Sequence, residues 1–189
     1  MLPHPHPPRL PWDVMVVDDD DDVRELIVSF FQGRGMPVTS AHDGRAAITE
    51  LERSSGRYGM VVTDVNLPGA DGFAVLEAAR RVNASCYVVI VTGYASLESA
   101  IMAVRGGAYD YLPKPFSLGQ LEVILQRVAD RAALEQENRR LATASQYRSD
   151  RQAHPALAGI EARLSAIEAT LARIELSLGA TVSGSPVRR

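Results

Sequence analysis

Cysteine and lysine are nearly absent from this sequence of 189 residues, which contains one of each, Cys86 and Lys114. A single cysteine excludes an internal disulfide framework and is typical of a protein from a reducing compartment. A single lysine excludes the P-loop pattern GxxxxGK[ST], because Lys114 is followed by Pro115 and no glycine run precedes it. The other basic residues are arginines, so Lys114 places a compact ammonium in a chain that otherwise uses guanidinium groups.

The sequence also lacks long apolar runs and a strong charge of either sign. No run approaches the roughly 18 residues of a membrane span, and the start of the chain has no signal-peptide core. Its 20 basic and 23 acidic residues give a net charge of −3, which argues against a generally basic nucleic-acid binder. With 46% hydrophobic and 23% charged residues, the composition is typical of a packed globular domain. We therefore expect a soluble, cytoplasmic protein with neither a membrane nor a nucleic acid as partner.

From Trp12 onward, short apolar runs alternate with segments of helical spacing. The runs are Val14–Val17, Val38–Ala41, Met60–Thr63, Tyr87–Val91 and Tyr109–Leu112. The intervening segments are Val23–Gln32, Gly44–Glu52, Gly72–Val82 and Leu97–Arg105, and a long one begins at Leu118. Buried strands separated by short helices indicate βα units. The pattern predicts an α/β domain, a doubly wound parallel sheet of five strands.

Polar residues stand where these predicted strands end. They are Asp18 and Asp19 after the first strand, Asp64 on the third, Thr92 on the fourth and Lys114 after the fifth. The carboxyl ends of parallel strands share one edge of the sheet, where ligands bind. Three carboxylates there would repel one another unless a cation joined them, and oxygen-only ligands favour Mg²⁺. The lysine and the threonine would then face a second anion, an arrangement suited to phosphoryl transfer onto a carboxylate.

Four tracts carry a family resemblance: VMVVDD, VVTDVNLPGADG, VIVTG and AYDYLPKPF. In this order they resemble the receiver domains of two-component response regulators, over about residues 12–129. The tract Thr92–Phe116 is most similar to receivers of the NtrC-like, enhancer-binding class, although we expect no ATPase output domain here. The resemblance implies a flavodoxin-like fold with strand order 2-1-3-4-5.

The resemblance also implies a role for each acidic site residue. Asp64 would accept a phosphoryl group from a sensor histidine kinase. Asp19 and Asp64 would bind Mg²⁺ directly, Asp18 would act through water, and Asn66 would contribute its backbone carbonyl. We take the two aspartates that directly follow the first strand as this acidic pair, and interpret Asp20–Asp22 as loop and helix-start charges favoured by the helix dipole.

The remaining implied roles concern the phosphoryl group and the switch. Thr92 and Lys114 would hold phosphoryl oxygens, and Tyr111 would be the aromatic residue whose rotation reports the phosphorylation state. The Lys114–Pro115 peptide bond is usually cis in such domains. Apart from slow self-dephosphorylation, we expect no enzymatic activity.

The segments outside the predicted receiver differ in composition. We expect residues 1–11, which are rich in proline and histidine, to form a disordered lead-in, residues 130–154 a helical linker that continues the fifth helix, and residues 179–189 a disordered tail. Residues 155–178 place apolar side chains at alternating spacings of three and four, an unbroken heptad pattern: Leu157, Ile160, Leu164, Ile167, Leu171, Ile174 and Leu178. Leu at a and Ile at d favour trimers or tetramers.

The heptad segment predicts a coiled coil that serves a homo-oligomer or a downstream protein partner. Its e positions are Glu161, Glu168 and Glu175. An antiparallel pairing would bring these carboxylates together, so the charges favour parallel chains or a different, basic partner. The alternative is an amphipathic helix that packs on its own domain.

Two other functions remain open. A DNA-binding regulator could end in a short helix-turn-helix, but Ala156–Arg189 contains four arginines against three glutamates and closes on GATVSGSPVRR, a poor recognition helix. A phosphatase of the haloacid dehalogenase type could use Asp18 and Asp20 as its DxD pair, but then Asp64 would have no role.

Overall fold

The computed structural model describes residues 12–93, 96–153, 159 and 163–172, the side chains of 146–153 excepted. The chain divides into two compact units, Met1–Ala133 and Leu134–Arg189. The first unit contains a sheet and the helices that cover it. The predicted lead-in and tail lie outside the described residues, and no helix of the described part is long and apolar enough to cross a membrane.

Five parallel strands form the sheet of the first unit. They are β1 (Asp13–Val17), β2 (Val38–Ala41), β3 (Tyr58–Asp64), β4 (Tyr87–Thr92) and β5 (Asp110–Pro113), in the order β2-β1-β3-β4-β5. Every residue of β3 and β4 is buried, because helices cover both faces of a doubly wound sheet. The predicted fold and strand order are confirmed.

The helices are α1 (Asp21–Gln32), α2 (Gly44–Arg53), α3 (Gly72–Val82), α4 (Leu97–Gly106) and α5 (Leu118–Ala153). The first four begin at side-chain caps, Asp20, Asp43, Asp71 and Ser96, whose oxygens accept backbone N–H groups. Each of these caps ends a loop that leaves the carboxyl edge of the sheet. Capping therefore fixes where each of these four helices begins.

Alternating side chains of the strands build a core on each face of the sheet. On β1, Val14 and Val16 belong to the cluster that includes Phe31 and Leu125, whereas Met15 and Val17 belong to the opposite cluster. Successive side chains of a strand point to opposite faces, so both clusters share one backbone. Each large apolar side chain buried this way contributes about 1.5–3 kcal/mol to stability.

In the second unit, residues 163–172 are helical and exposed. They include three positions of the predicted heptad pattern, Leu164, Ile167 and Leu171, each more than half exposed. The rest of the predicted coiled coil lies outside the described residues except Gly159, so the oligomer and the domain boundaries stay predictions.

Cys86 should resist thiol reagents in the folded protein. Burial raises the pKa of its thiol to about 12, although Arg80 opposes the shift, and the residue is 2% exposed. Because the thiolate is the reactive species, we expect labelling at pH 8 to be at least about a hundredfold slower than in the urea-unfolded chain. Reaction at the unfolded rate without urea would contradict the packing of this residue.

Candidate functional site

The strands bring the predicted site residues to one edge of the sheet. Asp18 and Asp19 follow β1, Asp64 ends β3, Thr92 ends β4, and Lys114 follows β5. The register pairs Val17 with Thr63, Asp64 with Val91 and Thr92 with Pro113, which aligns these strand ends. All five residues therefore stand along the carboxyl edge, as the sequence predicts.

Three carboxylates and one ammonium form a compact cluster at this edge. Asp18, Asp19 and Asp64 each offer an oxygen within 4.8 Å of the others. The Lys114 Nζ lies 2.8 Å from Asp18 Oδ2 and 2.8 Å from Asp64 Oδ2, although Lys114 and Asp64 are 50 positions apart in the chain. Asp18 and Asp64 are buried, whereas Asp19 is exposed. With all four groups ionised, the cluster has an excess of negative charge that one lysine does not neutralise.

Burial has the largest effect on the pKa of Asp18. It raises the pKa of the Asp18 carboxyl, and this effect outweighs the opposing hydrogen bond and charge of Lys114. Burial also lowers the pKa of Lys114, but the hydrogen bonds and charges of Asp18 and Asp64 more than offset this, and the pKa is raised. The lysine is thus held as an ammonium, while the carboxylates lack a full complement of positive charge.

The cluster fits a divalent cation with oxygen ligands. The Lys114 ammonium lies at ion-pair distance from the buried Asp18 Oδ2, but it is shared with Asp64 and is one positive charge beside three carboxylates. Carboxylates clustered in this way repel one another unless a further cation joins them. Carboxylate oxygens at this spacing are the ligands that Mg²⁺ prefers.

The loop after β1 is held by its own aspartates and by an arginine. The Asp20 N–H donates to Asp18 Oδ1 over 3.1 Å, and Asp20 Oδ1 accepts N–H groups of Asp22 and Val23 as the cap of α1. Arg24 Nη1 donates to the Asp18 carbonyl oxygen over 2.8 Å, and its Nη2 pairs with Asp21. The spacing of three on a helix is a signal for the pair with Asp21, whereas the contact to the Asp18 carbonyl oxygen has no such signal and was missed by the sequence reasoning.

Two further predicted residues lie next to the cluster. The Asn66 N–H donates to Asp64 Oδ1 over 3.2 Å, and Asn66 lines an open cleft together with Asp19, Phe73 and Met102. Thr92 is buried, and its carbonyl oxygen accepts the Lys114 N–H over 2.8 Å. The Lys114–Pro115 peptide bond is cis. The structure thus places Asn66 and Thr92 next to the cluster, while their functional roles stay predictions.

Tyr111 stands on β5 and contacts α4. Its hydroxyl lies 2.8 Å from Ser99 Oγ, and Ser99 also takes part in the capping box of α4 with Ser96. The tyrosine is half-buried against the core cluster that contains Ile90. Ser99 was missed by the sequence reasoning, because serine at a helix start is explained by capping alone.

Comparison with known proteins gives a consistent result. The profile of the response regulator receiver domain matches residues 14–126. The regulatory protein AtoC of Escherichia coli (strain K12) is 33% identical over 128 residues, 68% of this chain and 27% of the relative. The C4-dicarboxylate transport transcriptional regulatory protein DctD of Pseudomonas aeruginosa is 32% identical over 95% of this chain and 40% of its own length. The chain thus spans well under half of these relatives.

Solved structures show the same fold. The Francisella response regulator 1452 receiver domain is 31% identical, with a TM-score of 0.56 over 64% of this chain and 98% of its own. NtrX from Brucella abortus, solved in complex with ATP, is 29% identical, with a TM-score of 0.62 over 70% of this chain and 30% of its own.

The matched residues contain the sheet except Asp13, together with the strand ends and the acidic cluster. They make up more than half of the chain. The chain therefore belongs to the receiver domain family of two-component response regulators.

Proposed function

We propose that this protein accepts a phosphoryl group on Asp64 from a sensor histidine kinase, in a reaction that requires Mg²⁺. The observation that carries this proposal is the position of Lys114, whose ammonium lies 2.8 Å from the carboxylates of both Asp18 and Asp64. A nucleophilic carboxylate, a cation-binding pair and a fixed ammonium at one point are the groups that phosphoryl transfer needs.

The proposed transfer is a displacement at phosphorus. An oxygen of Asp64 attacks the phosphorus atom of the kinase phosphohistidine, a P–O bond forms, and the P–N bond breaks opposite to it. The bonding pair returns to the imidazole nitrogen, which takes up a proton from water, and Asp64 becomes an acyl phosphate. Lys114, now paired with Asp64 Oδ2, then holds a phosphoryl oxygen, and the Thr92 hydroxyl donates to another.

The same residues would hold the metal ion. Asp19 and Asp64 would bind Mg²⁺ directly, Asp18 would act through a water molecule, and Asn66 would supply its backbone carbonyl. When bound, the ion neutralises phosphoryl oxygens as negative charge moves toward the protein. Its removal would leave the buried Asp18 without sufficient positive charge.

Phosphorylation of Asp64 would change the positions of the Thr92 and Tyr111 side chains. A Thr92 side chain drawn toward the phosphoryl group changes the space available to the Tyr111 ring on the adjacent strand. In the state described here, the Tyr111 hydroxyl is tied to Ser99 in the first turn of α4. Rotation of the ring would release this contact and shift the population of α4 conformations.

The output would lie in the helical part of the chain. We assign residues 12–129 to the receiver, 130–154 to a helical linker and 155–178 to a coiled coil that joins copies of this chain or docks a downstream protein, with residues 1–11 and 179–189 as disordered ends. In this proposal, the receiver changes how the coiled coil is presented and catalyses nothing beyond slow self-dephosphorylation.

One contact argues against the phosphatase alternative. A DxD pair would need the Asp20 carboxylate at the metal, but Asp20 Oδ1 accepts two N–H groups as the cap of α1. The segment proposed for a helix-turn-helix lies largely outside the described residues. Among the described residues, no specific contact favours either alternative.

Phosphoryl labelling with a small donor tests the proposal. With phosphoramidate and Mg²⁺, intact-mass spectrometry should show one added phosphoryl group, and an excess of EDTA should slow labelling at least about tenfold, since metal coordination is worth several kcal/mol. Hydroxylamine should remove the label, because it cleaves acyl phosphates and leaves phosphoesters intact. Labelling that persists in EDTA or resists hydroxylamine would contradict the proposal.

A further inference from the structure

An exposed apolar stripe runs along the helix formed by residues 163–172. Leu164, Ile167 and Leu171 are 58%, 57% and 55% exposed, and their spacing of three and four places them at a, d and a of a heptad. Most of the stability of a helix in a protein comes from the packing of its apolar side. The stripe therefore needs a partner surface of matching shape.

Two charged residues flank this stripe on opposite sides. With Leu164 and Leu171 at a, Arg163 occupies a g position and Glu168 the following e position. Residues five apart on a helix are separated by about 140° around its axis, so these two side chains cannot pair within one helix as residues three or four apart do. Both side chains are therefore placed to contact the partner surface that covers the stripe.

A parallel copy of the same helix supplies an opposite charge for each of these two residues. In a parallel coiled coil in register, a g residue faces the e residue of the next heptad on the neighbouring helix, so Arg163 of one copy lies opposite Glu168 of another. In an antiparallel pair, e residues face e residues and g residues face g residues, which opposes like charges. The segment thus complements itself in one orientation only.

We propose that the helix of residues 163–172, the described part of the predicted coiled coil, joins copies of this chain in parallel and in register, through contacts between Arg163 of one copy and Glu168 of the next. This inference rests on the coiled coil of the proposed function. It makes a second copy of the chain, rather than a different, basic protein, the main partner that covers the apolar stripe. Closed cyclic symmetry satisfies every such contact, and Leu at a with Ile at d favours three or four copies.

Charge reversal in the full chain tests the pairing by sedimentation equilibrium. R163E and E168R should each weaken association roughly tenfold, since every copy loses an attraction and gains a repulsion. The double variant R163E/E168R should return to within about threefold of the parent. A169R, at the outward f position, should have almost no effect and controls for added positive charge.

Cysteine crosslinking tests the orientation. L164C and L171C should each form a disulfide with the same position of another copy, and the buried Cys86 provides an unreactive background. In an antiparallel pair, moving seven residues along the helix separates equivalent positions by about 21 Å, so no antiparallel alignment crosslinks both variants.

The outcomes of these experiments distinguish a failure of the parallel pairing from a failure of the proposed function. A parent chain that stays monomeric at all concentrations overturns both the coiled coil and its orientation, while phosphoryl labelling of Asp64 is an independent measurement. An oligomer in which the double variant is not rescued, or in which only one cysteine variant crosslinks, overturns the parallel pairing alone.

Discussion

Asp64→Asn is expected to lower phosphoryl labelling of the protein at least about a thousandfold, the scale seen when a nucleophile is removed. The asparagine side chain has the same shape but no nucleophilic carboxylate, so no acyl phosphate can form. The free energy of unfolding should change by less than about 1 kcal/mol, because Lys114 keeps its ion pair with Asp18 and the cluster loses an uncompensated charge. Intact-mass spectrometry with phosphoramidate and Mg²⁺ measures the first effect and urea unfolding the second.

Asp71→Asn is the matched control for this substitution. Asp71 is an exposed aspartate on the loop after β3, where it caps α3 by accepting the Ala74 N–H over 2.8 Å. Asparagine caps helices as well as aspartate does, so labelling should be that of the parent. A label that survives in Asp64→Asn would show that another residue is the acceptor.

Gly72→Ala should destabilise the sheet unit by at least about 2 kcal/mol, at or above the middle of the range for overpacking. A Cβ atom on Gly72 would stand 1.9 Å from the Asp64 carbonyl oxygen and 2.8 Å from its carbonyl carbon. Both are backbone atoms of a buried strand end, so neither can swing aside as a side chain would. Either α3 or the end of β3 must shift, and with β3 moves the carboxylate of Asp64. We therefore expect slower labelling as well as lower stability.

Urea unfolding followed by tryptophan fluorescence measures this effect, because Trp12 packs beside Tyr87 in the sheet unit. Gly119→Ala is the control, since its added Cβ would lie at an ordinary 3.7 Å from Ser117 Oγ, and alanine suits a helix better than glycine. Parent-like stability and labelling in Gly72→Ala would mean that α3 does not press on the end of β3.

The fold could be predicted from the sequence because each strand and helix carries its own local pattern. Buried strands are read as apolar runs, and β2 has the bounds of the predicted run Val38–Ala41. The observed strand ends differ from the predicted ones where the local sequence pattern is ambiguous. β3 begins at Tyr58 rather than Met60, because Gly59 interrupts the apolar run. That glycine is required by Trp12, whose ring atoms would lie 2.3 Å from an added Cβ.

The acidic cluster could be predicted as well, since parallel strands deliver their carboxyl ends to one edge wherever they occur in the chain. The contacts around the acidic cluster could not be predicted from the sequence. Arg24 reaches the Asp18 carbonyl oxygen, and Ser99 meets the Tyr111 hydroxyl from a different helix. These contacts depend on the directions of side chains between elements, for which the sequence contains no periodic signal.

The sequence by itself determined the order of the strands' apolar runs, the acidic and basic residues at their ends and the heptad spacing of residues 155–178, because each depends on residue type and local spacing. Only the tertiary structure decided that a single ammonium bridges Asp18 and Asp64 and that Gly72 must be glycine. Both follow from distances of a few ångströms between segments far apart in the chain, and such distances exist only once the sheet has brought them together.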